Sequence, residues 1–242
     1  MVGELSSFRV MTFDCYGTLI DWESGLLGVL RPLFAPSGSS VGDEEILGAF
    51  AEGESAAEAE MPTAIYPDVL RFAYRRAAAI LGIDADPSGA NRLACGVGDW
   101  PPFDDTVEAL RVLKRRFRLM ILSNVDRRSF ARTQAGLGIE FDAVVTAEDV
   151  GAYKPAIRHF RRAEEIIESW GLKRPQWLHV AQSLYHDHVP AKALGLSTAW
   201  IDRRRGRSGW GATKQPSEAV TPDWTFASMR ELAKAATKLA ED

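Results

Sequence analysis

The hydrophobic periodicity of the chain changes twice, and those two changes limit the fold more than any other feature. Phe8-Arg9-Val10-Met11-Thr12-Phe13 alternates apolar and polar residues and stops at Asp14, the pattern of a short buried strand closed by a turn at Tyr16-Gly17-Thr18. From Asp21 to about Gly98 only helical spacing is found. Leu26, Leu27, Leu30 and Phe34 share one face, and Asp43 is placed to cap a helix through Ile46, Leu47 and Phe50. Asp68 is placed to cap another through Val69, Phe72, Ala73 and Ile80, and a last helix is predicted over 90–97. After Trp100-Pro101-Pro102, helix and strand alternate to the end. A helix opened by Asp105 is followed by a strand over 119–122, a helix over 129–137 and a strand over 143–145. Pro155 starts the next helix; strands over 177–180 and 198–201 flank a helix over 189–194, and a final helix begins at Ser228.

Such alternation predicts a parallel sheet with helices on both faces. The expected fold class is therefore α/β: a Rossmann-like parallel-sheet core from residues 1–20 and 99–242, interrupted by an inserted helical cap subdomain over 21–98. A length of 242 residues suits one domain with an insertion. With 46% hydrophobic and 26% charged residues the chain can build a real core, which excludes disorder as its main theme. The 29 Lys+Arg against 33 Asp+Glu give a net charge of -4 and no basic excess for a nucleic-acid surface. The N-terminal stretch lacks the basic head and apolar run of a signal peptide, and no stretch approaches the ~20 apolar residues that span a bilayer. Cys15 and Cys95 are too few for a disulfide framework. The expectation is a cytoplasmic protein with no nucleic-acid or membrane partner.

In an open parallel sheet, ligands bind outside the carboxyl ends of the strands. Four polar groups fall there: Asp14, Ser123-Asn124, Lys154 and Asp187. Singly, each reads as a turn former, a helix cap or a solvated lysine. Together they support nucleophilic chemistry, because a carboxylate at a strand end can attack carbon or phosphorus and form a covalent intermediate. Lys154 is expected to hold Asp14 ionised. Ser123 and nearby backbone amides would fix an anionic group, and Asp187 would position or deprotonate the water that breaks the intermediate.

Phe13-Asp14-Cys15-Tyr16-Gly17-Thr18-Leu19-Ile20-Asp21, Leu122-Ser123-Asn124, Lys154-Pro155 and Asp187, in that order, resemble the four motifs of the haloacid dehalogenase (HAD) superfamily. The Asp-x-Tyr-Gly-Thr-Leu form of the first motif is similar to the (S)-2-haloacid dehalogenase branch, also called type II. This resemblance implies a hydrolase in which Asp14 displaces halide from a small 2-haloacid, and water assisted by Asp187 hydrolyses the aspartyl ester to a 2-hydroxy acid. It assigns Asp14, Lys154 and Asp187 as catalytic. Cys15 and Tyr16, through backbone amides, together with Thr18, Ser123 and Asn124 become substrate-binding residues. It implies no cofactor, a small carboxylic acid as substrate and a homodimer as the default assembly.

The alternative within the superfamily is a Mg²⁺-dependent phosphatase. Its second Asp, two residues after the nucleophile, is here Tyr16, and only Asp187 remains at the fourth motif, so at most a weak Mg²⁺ site is left. A third reading is hydrolysis of another activated carbon, as in azetidine-2-carboxylate. The branch's halide-cradling Arg is missing, since no Lys or Arg lies between Arg31 and Arg71, while Asp43, Glu44, Glu45, Glu52, Glu54, Glu58 and Glu60 make that stretch acidic. Most of these glutamates read as a solvated helix face, and an acidic cap would also suit a substrate bearing an amine. Gln182 and Leu184 stand where the branch has a Ser and an Asn. His186 and His188 read as surface residues rather than metal ligands, and His159 and His179 as structural. Arg203-Arg204-Arg205-Gly206-Arg207 reads as a solvated charge run. Trp22, Tyr66 and Trp100 either wall a small pocket or pack the cap–core hinge.

Overall fold

The computed structural model describes residues 4–35 and 40–238. Residues 1–3, 36–39 and 239–242, which the expected core and cap ranges include, lie outside it. Six parallel strands form one sheet in the order β3-β2-β1-β4-β5-β6. They are β1 (Val10–Phe13), β2 (Arg118–Ser123), β3 (Ala143–Thr146), β4 (Trp177–Ala181), β5 (Ser197–Ile201) and β6 (Trp224–Phe226). The α/β parallel-sheet fold is as expected from the alternation. β6 lies outside the expected strands; Trp224-Thr225-Phe226 alternate, but three half-buried or exposed residues are too few for a period to stand out.

The chain runs outward from β1 to β2 and β3, then returns to the other side of β1 to lay down β4, β5 and β6. Phe13 therefore pairs with Ile121 on one flank and Val180 on the other. The reversal at β1/β4 opens a crevice at the carboxyl ends of these strands, the place where such sheets bind ligands.

Period-two alternation divides the strand side chains between two layers. Met11, Phe13, Leu119, Ile121, Leu178 and Val180 join the larger buried cluster, which takes in α5 (Thr106–Lys114) and α10 (Met229–Thr237). Val10, Met120, Leu122 and Trp177 face the opposite way, onto α8 (Arg158–Ser169) and α9 (Val189–Ala193). Short helices α6 (Arg127–Leu137) and α7 (Ala147–Val150) complete the crossovers.

Four helices fill the span between β1 and α5: α1 (Trp22–Phe34), α2 (Asp43–Glu60), α3 (Tyr66–Ile80) and α4 (Pro87–Gly96). Asp21 and Asp86 cap α1 and α4 by accepting from the backbone N–H of Ser24 and Ser88. The other expected caps differ. Asp43 is the first residue of α2, and the carboxylate of Glu45 accepts from Gly42 N–H instead. Asp68 lies inside the first turn of α3 and pairs with Arg71. α2 and α3 pack closely at Gly53, where a Cβ would stand 2.7 Å from the carbonyl oxygen of Ala73. Leu26, Leu30, Phe50, Val69 and Leu93 of these helices share one continuous buried cluster with the sheet. Among the described residues, no helix is long and apolar enough to cross a membrane.

Candidate active site

Asp14 follows β1 directly, and its backbone N–H still donates to Val180 O of β4 at 3.0 Å. The chain then doubles back. Gly17 takes φ +88°, a conformation suited to glycine, so that Gly17 N–H reaches Ile20 O and Ile20 N–H reaches Cys15 O. This turn folds Thr18 over the carboxylate. Thr18 Oγ1 donates to Asp14 Oδ2 at 2.7 Å and accepts from Gln182 N–H at 2.9 Å. The backbone N–H groups of Cys15 and Tyr16 donate to no acceptor among the described residues, which leaves them open to an anion.

The ammonium of Lys154, 1% exposed, uses its three protons on three oxygens. It donates to Asp14 Oδ1 at 2.9 Å, Asp187 Oδ1 at 2.6 Å and Leu122 O at 2.9 Å. Asn124 holds Lys154 by its backbone: Lys154 N–H donates to Asn124 Oδ1 at 2.7 Å, and Asn124 Nδ2 donates to Lys154 O at 3.2 Å. Asp187 Oδ1 also accepts from His179 Nε2 at 3.1 Å, while its Oδ2 is buried without a partner. Ser123 Oγ is likewise buried and unpartnered.

Burial drives the proton equilibria here. It raises the Asp14 carboxyl, and the charge of Asp187 adds to that; Lys154 and Thr18 pull the other way without cancelling it. Lys154, expected to hold Asp14 ionised, does lower its carboxyl, but the cation is shared between two carboxylates and does not offset burial. For Asp187 burial is again the largest influence, but Lys154 and His179 outweigh it and hold the carboxyl well below its usual range. Burial works against the Lys154 ammonium, yet Asp14 and Asp187 keep it firmly protonated. Burial pushes the Cys15 thiol well up, so it is no nucleophile at neutral pH.

These groups floor a cavity of about 60 Å³ lined also by Tyr16, Trp22, Glu54, Glu58, Tyr66 and His186. Roughly 10–15 Å³ of such space holds one water, so the cavity suits a few heavy atoms and no large substrate. The structure brings together Asp14, Ser123, Asn124, Lys154 and Asp187 on its wall, with Tyr16 beside them. Tyr16 offers its ring, since its hydroxyl is turned away to Thr133 Oγ1 at 2.6 Å. Thr18 and Cys15 lie behind the wall. Trp22 and Tyr66 line the cavity, whereas Trp100 packs behind Trp22 at 4.8 Å between ring centroids.

Three lining residues were misread from sequence. Glu54 and Glu58, expected on a solvated face, continue the buried stripe of α2 from Phe50 at intervals of four, and that spacing was the available signal. Glu54 accepts from Tyr66 Oη at 2.5 Å, and burial with the charge of Glu58 raises its pKa from 4.5 to about 8. Glu58 accepts from Asn124 Nδ2 at 2.9 Å. His186, expected at the surface, stands in the cavity wall with Nε2 3.6 Å from Glu58 Oε2. His188, also expected at the surface, is buried and bonded to Ala181 O. In the arginine run Arg205 and Arg207 are exposed as expected, and the other two are not. Arg203 pairs with Asp105, and Arg204 is buried between Glu23 and Glu44.

Mg²⁺ needs a cage of hard oxygen ligands. Here Lys154 Nζ stands between Asp14 and Asp187, the carboxylates that would have to share the ion, and Tyr16 brings a ring where an acid would be needed. Among the described residues, no group of three His, Cys, Asp or Glu could hold a metal ion. The residues present do not fit the group.

Fold and site together define a class, a parallel α/β protein with a strand-end carboxylate at the centre of its cavity. A family model described as haloacid dehalogenase-like hydrolase matches residues 8–178, and the chain belongs to that family. It is 30% identical to an (S)-2-haloacid dehalogenase of Pseudomonas sp. (strain YL), over 91% of this chain and 90% of the relative. It is 27% identical to an (S)-2-haloacid dehalogenase of Pseudomonas fluorescens, over 84% of this chain and 88% of the relative. Among solved structures, the L-2-haloacid dehalogenase from Xanthobacter autotrophicus with chloropropionic acid covalently bound superposes with a TM-score of 0.76. That likeness covers 96% of this chain and all of that one at 21% identity, and it speaks to the fold.

Proposed function

We propose that the protein hydrolyses small 2-haloacids to 2-hydroxy acids through an ester on Asp14, taking the (S) configuration named for its relatives. The observation that carries this reading is the pinned carboxylate itself: Asp14, held by Thr18 and Lys154, faces a small cavity. An ester-forming displacement needs a fixed nucleophile and little else, because halide leaves without a proton or a metal. In this reading residues 21–98 act as the cap that closes the cavity over residues 1–20 and 99–242.

Each side chain then has a task. Thr18 and Lys154 orient the Asp14 oxygens for attack on the carbon bearing the halogen. Ser123 Oγ and the open N–H groups of Cys15 and Tyr16 bind the substrate carboxylate. Asn124 fixes Lys154. After halide departs, a water bound to the unpartnered Oδ2 of Asp187 attacks the ester carbonyl of Asp14. The depressed pKa of Asp187 makes it a positioning acceptor more than a strong base. No cofactor enters this route. The phosphatase reading is not favoured, because the Tyr16 hydroxyl is committed to Thr133 and Lys154 Nζ stands between the two carboxylates that Mg²⁺ would need. A cytoplasmic place of action rests on Cys15 and Cys95 both being free thiols. The default assembly is a homodimer, which sedimentation of the purified chain tests.

The deciding experiment is a single turnover of (S)-2-chloropropionate in ¹⁸O-water with chelator present. The expected product is unlabelled lactate, with the label in Asp14. Label in the product, or halide release that survives Asp14→Asn, would overturn the reading.

A further inference from the structure

We propose that Glu54 and Glu58 make the cavity selective for 2-halo acids whose side chain at C2 ends in a protonated amine. This names the substrate class of the same site and rests on the displacement by Asp14 proposed above.

The lining of the cavity asks for opposite charges at two places. On the floor, the open N–H groups of Cys15 and Tyr16 and the buried, unpartnered Ser123 Oγ suit a carboxylate. From α2, Glu54 and Glu58 line the same space one helical turn apart. Glu54 Oε1 accepts from Tyr66 Oη, and Glu58 Oε1 accepts from Asn124 Nδ2. Glu58 Oε2 has His186 Nε2 3.6 Å away, whereas Glu54 Oε2 accepts from no group among the described residues. Lys154 cannot serve, because its three protons are committed to Asp14, Asp187 and Leu122 O. Burial and the charge of Glu58 raise the Glu54 pKa to about 8, the state of a carboxyl that lacks a counter-charge. A bound ammonium supplies that charge and lets Glu54 ionise.

The walls around the two acids suit a cation as well. The rings of Tyr16, Trp22 and Tyr66 line the cavity, with Trp22 5.5 Å from Tyr16 and 6.4 Å from Tyr66 between centroids. Aromatic faces attract ammonium groups within about 6 Å, and cages of such rings recognise alkylammonium cations. There is also room. Glu58 and Lys154 border a second space of about 300 Å³, in the seam between α2 and residues 152–156, so a side chain at C2 can extend past the catalytic cavity.

The cation answers a need of the displacement itself. Halide gathers negative charge as it leaves, and no arginine lines the cavity among the described residues. An ammonium on the carbon next to the reacting one brings positive charge with the substrate. The step balances: an Asp14 oxygen forms the C–O bond, and the C–X pair departs with X as a free halide ion. Water then hydrolyses the ester, giving a 2-hydroxy acid that keeps its ammonium, the Asp14 carboxylate and one proton to solvent.

The test uses two chloro acids of one shape, (S)-3-amino-2-chloropropionate and (S)-2-chlorobutyrate, which differ by an ammonium in place of a methyl. Chloride release by the wild type at pH 7 should favour the amine in kcat/KM by about ten- to a hundredfold, the worth of a hydrogen bond to a charged group. Glu54→Gln and Glu58→Gln should each cut that ratio at least about fivefold, with chlorobutyrate as the reference within each variant. A wild type that handles the two acids equally or prefers chlorobutyrate would overturn the proposal, as would variants that keep the wild-type ratio. A second measurement needs neither turnover nor a variant. Calorimetry on the wild type should show 3-aminopropionate binding more tightly than butyrate by a similar factor, and equal Kd values would overturn the proposal. A wild type that releases chloride from neither 2-chlorobutyrate nor 2-chloropropionate would instead strike the displacement by Asp14, and the calorimetric comparison would still decide the amine site.

Discussion

The hydroxyl of Thr12 donates to His179 Nδ1 at 2.8 Å, beneath the sheet and away from the cavity. Thr12 in turn accepts from Trp177 Nε1 at 2.7 Å, and the far nitrogen of His179 donates to Asp187 Oδ1. The chain of bonds fixes the imidazole tautomer, since Thr12 has only its O–H left to give. Alternation puts Thr12, Trp177 and His179 on the same face of β1 and β4, so two neighbouring strands support an acid that neither carries.

Replacing Thr12 by Val keeps the shape and removes the link. Trp177 Nε1–H and His179 Nδ1 then lie buried without partners, at a cost of about 1–3 kcal/mol each. Urea unfolding should show that loss. Rapid-quench kinetics should show a halide burst followed by a slower steady state, because Asp187 acts on ester hydrolysis and not on its formation. Equal slowing of both phases would contradict this division.

Lys154 is the one cation among the described residues that is bonded to both Asp14 and Asp187. Lys154→Met leaves two buried carboxylates without a counter-charge, and breaking such pairs costs about 3–5 kcal/mol. Because Asp187 titrates below its unfolded value, its contribution is present above about pH 4 and lost as pH falls through its folded pKa. Thermal melts from pH 6 down to about 2 should show this loss setting in below about pH 4 in the wild type and a smaller one in Lys154→Met. Halide release in the variant should fall by at least about a hundredfold.

Asp14, Ser123, Lys154 and Asp187 were legible in the sequence because each follows an element whose buried run is itself legible. Strand ends converge wherever the sheet is parallel, so 140 residues between Asp14 and Lys154 posed no obstacle. Glu54, Glu58 and His186 were not, because charge was taken as a mark of solvent. Their burial depends on contacts from other elements, namely Tyr66 and Asn124 for the two acids and Ser183 with Glu58 for the histidine. Asp105 failed for a related reason. It stands at the cap position of α5, but its carboxylate serves Arg203 and the N–H of Arg230, both distant in sequence.

Glu54 makes a distinct pH prediction. Its folded pKa of about 8 lies above the unfolded value of 4.5, so the folded state keeps a proton that the unfolded state has lost. Stability contributed by this group therefore falls as pH rises from about 4.5 to about 8 and is flat above, by at most about 1.4 kcal/mol per pH unit. His186, with its raised pKa, adds a decline of the same sign above pH 6.5. Glu54→Gln can still accept from Tyr66. It should match the wild type at pH 4.5 and exceed it in Tm at pH 8, and equal melting temperatures at both pH values would refute the assignment.

Arg204 ties the loop after β5 to two helices that lie on the other side of the cavity. Its Nη1 donates to both oxygens of Glu23 in α1 at 2.6 Å, and its Nη2 reaches Glu44 in α2 at 2.7 Å and Ser208 O at 2.8 Å. The same loop supplies Ala212 and Thr213 to the cavity wall, so the clamp sets the width of the pocket as well as the stability of its roof. Planar guanidinium geometry makes both contacts at once, and a lysine cannot. Arg204→Ala and Arg204→Lys should both raise KM several-fold and leave the single-turnover rate of bound substrate nearly unchanged. The alanine variant should lose about 1–3 kcal/mol in urea unfolding, because truncation leaves Glu23 with only Arg207, 3.5 Å away. A fall in the single-turnover rate with KM intact would show that the clamp acts on the nucleophile instead of on closure.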